Sequence, residues 1–364
     1  MSIASCESFL AKMYGKKHCI LTGNGTAALW IASLLMDESK EKVLLPAIIC
    51  PNLVYAVKMA GKKPVFADVL TSDATLDPEC VEKSLASDSS IGAIIAVHLY
   101  GHSADMQRLK EITDRYQVLL IEDVAQAMGG VGADGQLLGS VGDCSVLSFG
   151  PTKIIEAGEG GALITDNDDL ANRARLIAGE LGPPKINMEN YLSIYKKLYY
   201  SIYDAGCQDG RFFSLFNKFA DLFRDMYLFS IKKQTADSIK MTLGHLDNEI
   251  LHRQKISTIY FDKLKHVSEI TLFSPIGNVV SWRFSFCVNT DIRQDLLDTI
   301  RSQGFDASSW YPCIANWYDP KGMAENKYPV ANQIEKQIVN IWVSQNYSIE
   351  RADNLADTIV EFFQ

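Results

Sequence analysis

Short apolar runs alternate with amphipathic stretches from residue 17 onward. The runs HCILT (18–22), KVLLP (42–46), KPVFADV (63–69), IGAIIAVHL (91–99) and VLLIED (118–123) are mostly continuous apolar segments rather than alternating ones. That is the pattern of strands covered by helices on both faces. Helical stretches lie between them: AALWIASLLM, a segment opened by Pro51 and running to Ala60, LDPECVEKSLA and ADMQRLKEITDRYQ. In the third of these, Asp77 and Pro78 have the types preferred at an N-cap and first helical position. Repeated βα units with short connections predict an α/β fold with a mostly parallel central sheet and flanking helices. Ligands of such sheets lie at the carboxyl ends of the strands.

The pattern changes after DDLANRARLIAG (168–179). Residues 190–233 are aromatic-rich with helical spacing, as in Tyr191, Ile194, Tyr195 and Leu198, then Phe212, Leu215, Phe216, Phe219, Leu222 and Phe223. Asp204, Asp221 and Asp225 balance the basic residues there, which favours helices buried against the domain or a partner subunit over a membrane-surface segment. From about 236 a helix ends near His266, VVSWRFSFCV reads as a strand, RQDLLDTIRSQG as a glycine-closed helix, and SIERADNLADTIVEFFQ as a final helix capped by Ser348. The expected organisation is a large α/β domain over 1–235, including the aromatic-rich segment, and a smaller α+β domain over 236–364.

Composition narrows the function classes. A chain of 364 residues is longer than one core usually grows, in line with two domains. The net charge of −9 argues against a general nucleic-acid binder, though cations and amides inside a cleft can still hold a small anion. The 8 cysteines are scattered without a CxxC pair, so neither a metal site nor a disulfide framework is expected. The N-terminus lacks the apolar core of a signal peptide, and no apolar run approaches bilayer length. A cytoplasmic location is the expectation.

Three stretches carry candidate chemistry. In LTGNGTAALW (21–30), a strand, a glycine turn and a helix start present backbone N–H groups and a positive dipole end, with Gly25 permitting close approach and Thr26 adding a hydroxyl. In LLIEDVAQAMGG (119–130), Glu122 and Asp123 end an apolar strand; Glu122 reads as a cap or surface charge. Asp123 reads as a fixed anion for a cationic ring nitrogen, and Gln126 as a donor to a ring oxygen. In CSVLSFGPTK and the following GEGGALIT, Ser148 ends a strand and Lys153 sits in the next loop. The loop lacks the Walker pattern. Lys153 is either a solvated surface cation or a desolvated amine that condenses with an aldehyde or ketone. Phosphate, protonated ring nitrogen and aldehyde are the three handles of pyridoxal phosphate, for which a lysine and an aspartate are the recognised partners.

At this point the chain resembles the DegT/StrS sugar aminotransferases, which have the type I fold of aspartate aminotransferase. GNGTAAL, VLLPAIIC, AGKKPVFADV, AVHLYGHSADM, IEDVAQAMGG, LGSVGDCSVLSFGPTK and GEGGALIT follow the family's motifs in order, and LHRQKISTIYFDKL, WYP and YPVANQ are similar to its C-terminal half. The resemblance implies a pyridoxal 5'-phosphate enzyme in which Lys153 bonds the cofactor aldehyde, Asp123 pairs with the ring nitrogen, Gln126 contacts the ring hydroxyl, and Gly25, Thr26 and Ser148 hold the phosphate. It further implies a homodimer with interfacial sites, L-glutamate as amino donor and a nucleotide-linked keto sugar as acceptor.

Two positions depart from the family. Cys50 stands where an aromatic residue usually stacks on the cofactor ring, and Leu228, Phe229 and Ser230 stand where an Asn-x-Arg element usually reaches the partner's phosphate site. Substrate candidates are Arg283 and Tyr311, with a structural salt bridge and a core-edge tyrosine as the alternatives, and Glu159, otherwise a turn residue. His98 reads as a hydrogen-bonded structural histidine. Competing functions are a pyridoxal phosphate lyase or dehydratase, an aminotransferase on a non-nucleotide substrate, and a non-catalytic regulatory protein that kept the fold.

Overall fold

Strand and helix alternate through the first half of the computed structural model, which describes residues 2–185 and 188–364. Strands β1 (His18–Thr22), β2 (Lys42–Pro46), β3 (Lys63–Ala67), β4 (Ile91–Val97), β5 (Leu119–Asp123), β6 (Cys144–Ser148) and β7 (Gly161–Thr165) form a 7-stranded sheet in the order β1-β7-β6-β5-β4-β2-β3. The neighbours from β6 through β3 pair in parallel, as the apolar runs predict. Strand β7 runs antiparallel to both β6 and β1. The reason is local: no helix intervenes between β6 and β7, so the chain folds back as a loop closed by Phe149 N–H to Gly160 C=O at 3.0 Å. Every residue of β4 is buried, which is why its run carries no alternation.

A second sheet of four antiparallel strands has the order β10-β11-β9-β8, with β8 at Thr271–Leu272, β9 at Phe284–Cys287, β10 at Ala307–Ser308 and β11 at Ile338–Ile341. Its core joins Phe286 and Val339 to Ile256, Tyr260, Leu296 and Leu355 from the helices Leu246–Leu264, Thr290–Ser302 and Ile349–Phe362. The strand expected over 279–288 is shorter. Residues before Phe284 leave the sheet and reach the first one, where Trp282 N–H donates to Tyr100 C=O at 2.9 Å.

The aromatic-rich segment forms the helix Met188–Gln208, a 3-10 helix over Gly210–Lys218, and the short helices Phe219–Leu222 and Arg224–Tyr227. Its inner side buries Tyr199, Phe216, Phe219 and Phe223 in the same cluster as Tyr55 and Trp317, with Phe216 and Trp317 stacked at 4.4 Å. Tyr191, Ile194 and Leu222 stay exposed on the outer side. The helix Lys233–Leu243, where the chain passes toward the second sheet, packs Ala236, Ile239 and Leu243 with Leu10, Phe149 and Ile164 of the first unit. Among the described residues, no helix is long and apolar enough to cross a membrane, and no group of acidic, histidine and cysteine side chains is arranged to hold a metal.

Candidate active site

The carboxyl ends of β4, β5 and β6 open into a cavity of about 620 Å³. Gly25, Thr26, Cys50, Asp123, Gln126, Ser148, Lys153, Glu159 and Tyr311 all line it, so the structure brings these widely spaced candidates to one place.

One end of the cavity is built from the start of the helix Gly25–Leu34. Asn24 caps that helix, its side-chain oxygen accepting from Ala27 N–H at 2.8 Å while its amide donates to Tyr227 C=O at 2.9 Å. The Thr26 amide, in the first turn, has no intrahelical acceptor. Gly25 faces Ser148 at the end of β6: a Cβ on Gly25 would lie 2.8 Å from the serine Cβ and 2.9 Å from its Oγ. Glycine therefore keeps open a small cradle with an amide N–H, the hydroxyls of Thr26 and Ser148, and a positive helix end. A phosphate group matches that donor set.

The other end carries the charges. Asp123 closes β5, nearly fully buried, with its Oδ1 accepting from Ala125 N–H at 2.9 Å. Burial raises its pKa above the ordinary value, while the Ala125 amide, Lys153 and His98 pull the other way. An acid in this position gains most from a cation brought beside it. Lys153 sits half-buried in a turn closed by its own N–H to Gly150 C=O at 3.3 Å, and is the one cationic side chain among the described residues lining the cavity. Cys50 precedes the helix Pro51–Met59 without a capping bond, and burial pushes its thiol up despite nearby Lys153.

Gln126 and Tyr311 are coupled. The backbone N–H of Tyr100 donates to Gln126 Oε1 at 2.8 Å, which fixes the amide orientation, and Gln126 Nε2 donates to Tyr311 Oη at 2.8 Å. One amide hydrogen of Gln126 remains beyond that bond. Glu159 accepts from Thr235 Oγ1 at 2.6 Å and pairs with Lys232 at 3.1 Å, so it is tethered to the residues that open the helix Lys233–Leu243.

Two expectations need correction. Arg283 does not line the cavity. Its guanidinium lies between the rings of Trp282 and Trp342, at 4.5 and 4.1 Å from their centroids, and donates to Trp282 C=O at 3.0 Å. Its cation is used in that stack, and no salt bridge is needed to account for its burial. Glu122 is neither a cap nor a surface charge. It is fully buried and accepts from Gly139 N–H at 2.6 Å, Gly142 N–H at 2.8 Å, Val141 N–H at 3.1 Å and His98 Nε2 at 2.9 Å. His98 Nδ1 accepts from Ala104 N–H at 3.0 Å, so the ring carries its proton on Nε2, and the histidine is structural, as expected. At the departure over Leu228–Ser230, the backbone is tied within the chain: Phe229 C=O accepts from Gly23 N–H at 3.1 Å, and Ser230 N–H donates to Gly182 C=O at 2.8 Å.

Several lining residues were not expected from the sequence. Asn52, Leu192, Met226, Tyr227, Phe229 and Trp282 all border the cavity. The departure at Leu228 was the one sequence signal pointing at this wall, and Phe229 beside it packs directly over Gly23.

A dTDP-3-amino-3,4,6-trideoxy-alpha-D-glucose transaminase of Micromonospora megalomicea subsp. nigra is 37% identical over 177 residues, a match spanning 48% of this chain and 46% of that protein. The erythromycin biosynthesis sensory transduction protein EryC1 of Saccharopolyspora erythraea is 28% identical over 358 residues, 97% of this chain and 88% of its own. In fold, the chain is similar to NtdA of Bacillus subtilis solved with bound cofactor PMP, at a TM-score of 0.78 and 20% identity, covering 99% of this chain and 77% of that one. The profile of one family matches residues 2–360, nearly the whole length. The chain belongs to the DegT/DnrJ/EryC1/StrS aminotransferase family.

Proposed function

We propose that this chain is a sugar aminotransferase that moves an amino group from L-glutamate to the ketone carbon of a nucleotide-linked keto sugar, yielding an amino-deoxy sugar for a surface polysaccharide or a glycosylated metabolite. The observation that carries the reading is convergence: Lys153, Asp123 and the Gly25–Thr26–Ser148 cradle, from separate strand ends, line a single cavity. Pyridoxal 5'-phosphate, the cofactor of this family, supplies when bound an aldehyde for an amine and a ring that accepts the electron pair released when a Cα–H bond breaks.

Each side chain has a task in that scheme. The N–H and hydroxyl groups of Thr26 and the Ser148 hydroxyl hold the phosphate, helped by the helix dipole. The Asp123 carboxylate holds a proton on the ring nitrogen, and the rise in its pKa on burial is reversed once a cation faces it. Lys153 Nζ is placed to bond the aldehyde and to carry a proton to and from the substrate carbon. Gln126, oriented by Tyr100 N–H, offers its second amide hydrogen to the ring oxygen, with Tyr311 beside it. Cys50 gives a small, uncharged wall where an aromatic ring is usual, and Glu159, which lines the same cavity, would serve as a contact to the sugar. We take the working form to be a cytoplasmic homodimer, for which the exposed Tyr191, Ile194 and Leu222 offer contact surface.

A second reading, transamination of a non-nucleotide substrate, draws support from the apolar wall made by Leu192, Met226 and Phe229. The test supplies glutamate with a panel of nucleotide-linked and free keto sugars and follows products by mass spectrometry. Transamination makes one 2-oxoglutarate per amino sugar. Turnover without 2-oxoglutarate would replace the reading with a lyase or dehydratase.

A further inference from the structure

A column of flat groups runs from the second sheet to the cavity. Arg283 is held between Trp342 and Trp282; Trp282 stacks on Tyr311 with centroids 6.0 Å apart at 16°, and Tyr311 stacks on Tyr100 at 6.1 Å and 23°. The column is pinned along its length. Trp282 N–H donates to Tyr100 C=O at 2.9 Å, Arg253 donates to Trp282 C=O at 3.0 Å, and Tyr311 N–H donates to Tyr100 Oη at 3.0 Å. Trp282, Arg283, Tyr311 and Tyr100 are all buried.

Two bonds carry the column into the site. One is the Gln126–Tyr311 contact already described. The other runs from the indole Nε1 of Trp282 to the backbone C=O of Thr152, at 2.6 Å. Thr152 immediately precedes Lys153 and has a φ of 68°, a conformation that a β-branched residue rarely adopts. The residue is held there at both ends, by Thr152 N–H donating to Glu156 Oε2 at 2.8 Å and by the indole on its carbonyl. A disfavoured backbone persists only while its surroundings over-determine it. Removing the indole donor frees the carbonyl of the residue that aims the lysine, leaving the Thr152 N–H bond to Glu156 and the Lys153 N–H bond to Gly150.

We infer that Trp282 is a positioning residue for Lys153: its indole N–H, delivered by the stacked column, holds the Thr152–Lys153 peptide so that the lysine points into the cavity. The seating of the second sheet on the first thereby sets how readily Lys153 captures an aldehyde. This rests on the assignment of Lys153 made above.

The test compares wild type, Trp282→Phe and Trp282→Leu as full-length apo-protein. Pyridoxal 5'-phosphate is added and capture is followed by absorbance, with inorganic phosphate as a competitor. Phenylalanine removes the donor while keeping an aromatic ring, though a smaller one, in the stack. The expected result is roughly tenfold slower capture by Trp282→Phe, the scale of one lost hydrogen bond, with inhibition by phosphate unchanged because Gly25 and Thr26 lie on a separate helix and Ser148 is held in β6. Capture by Trp282→Phe at the wild-type rate would overturn the inference, leaving packing as the role of the ring. A slow Trp282→Leu beside a normal Trp282→Phe overturns it in the same way; should the leucine variant fail to fold, the phenylalanine variant decides alone. A wild type that captures nothing overturns the function reading and this inference together, whereas capture that is equal in wild type and variant overturns this inference only.

Discussion

Replacing Glu122 by glutamine changes one atom and should cost several kcal/mol. Four donors lie within 3.1 Å of the carboxylate in two pairs, Gly139 N–H and His98 Nε2 on Oε1 and Val141 N–H and Gly142 N–H on Oε2, with Ser145 Oγ further off at 3.4 Å. An amide presents one oxygen and one NH2, so in either orientation two buried donors face a donor. His98 has no compensating move, because Ala104 N–H requires Nδ1 as acceptor and the proton must stay on Nε2. A hydrogen bond to a charged group is worth about 1.5–3 kcal/mol net, so two lost bonds amount to about 3–6 kcal/mol.

The effect also has a pH signature. Burial raises the Glu122 pKa, but the His98 bond and the Gly142 and Gly139 amides outweigh it, leaving the folded value below the ordinary one near 4.5. A depressed carboxyl stabilises the fold above its unfolded pKa and loses that contribution as pH falls through the folded value. The gap between wild type and Glu122→Gln should therefore be full at neutral pH and shrink below about 4.5. Thermal unfolding across pH 3–8 reads both features. A variant within about 1 kcal/mol of wild type at pH 7 would refute the idea that these four bonds hold the end of β5, and with it Asp123, in place.

Two further outcomes follow from packing at the site. Gly25→Ala puts a Cβ 2.8 Å from that of Ser148, so the serine must shift; pyridoxal phosphate affinity should fall about tenfold to a hundredfold in an absorbance titration, with a melting temperature close to wild type. Arg283→Lys loses the planar cation between Trp282 and Trp342 and should cost about 1–2 kcal/mol in stability while leaving the KM of the sugar acceptor unchanged; a tenfold KM rise without lost stability would return Arg283 to the substrate site.

Much of the large sheet was legible because its strands are buried on both faces, which writes them as unbroken apolar runs. Lys153, Asp123, Ser148 and Gly25 were legible for a related reason: each sits at a strand end or helix start, where local pattern and ligand position coincide. What pattern could not show was pairing across distance. Glu122 and Asp123 are neighbours at the end of one strand, yet Glu122 meets amides from residues 139–142 and Asp123 meets the cavity, and nothing in the local sequence tells them apart. Arg283 had the composition of a ligand residue, but only one of its two tryptophan neighbours, Trp282, is adjacent in sequence, while Trp342 follows β11. The short strands β8, β10 and β11 escaped notice because runs of two to four residues carry too little periodicity to read. The wall at Tyr227 and Phe229 was visible only as a departure from the family pattern, since its contacts with Gly23 and Asn24 span some two hundred residues.

The most direct test of the central assignment is to incubate the purified chain with pyridoxal 5'-phosphate, reduce with borohydride, digest and locate the retained cofactor by peptide mass spectrometry. The prediction is a single modified site at Lys153, within the peptide that follows SVLSFGPT, and release of the cofactor when glutamate is added before reduction. Cofactor retained on another lysine, or on none, would contradict the account.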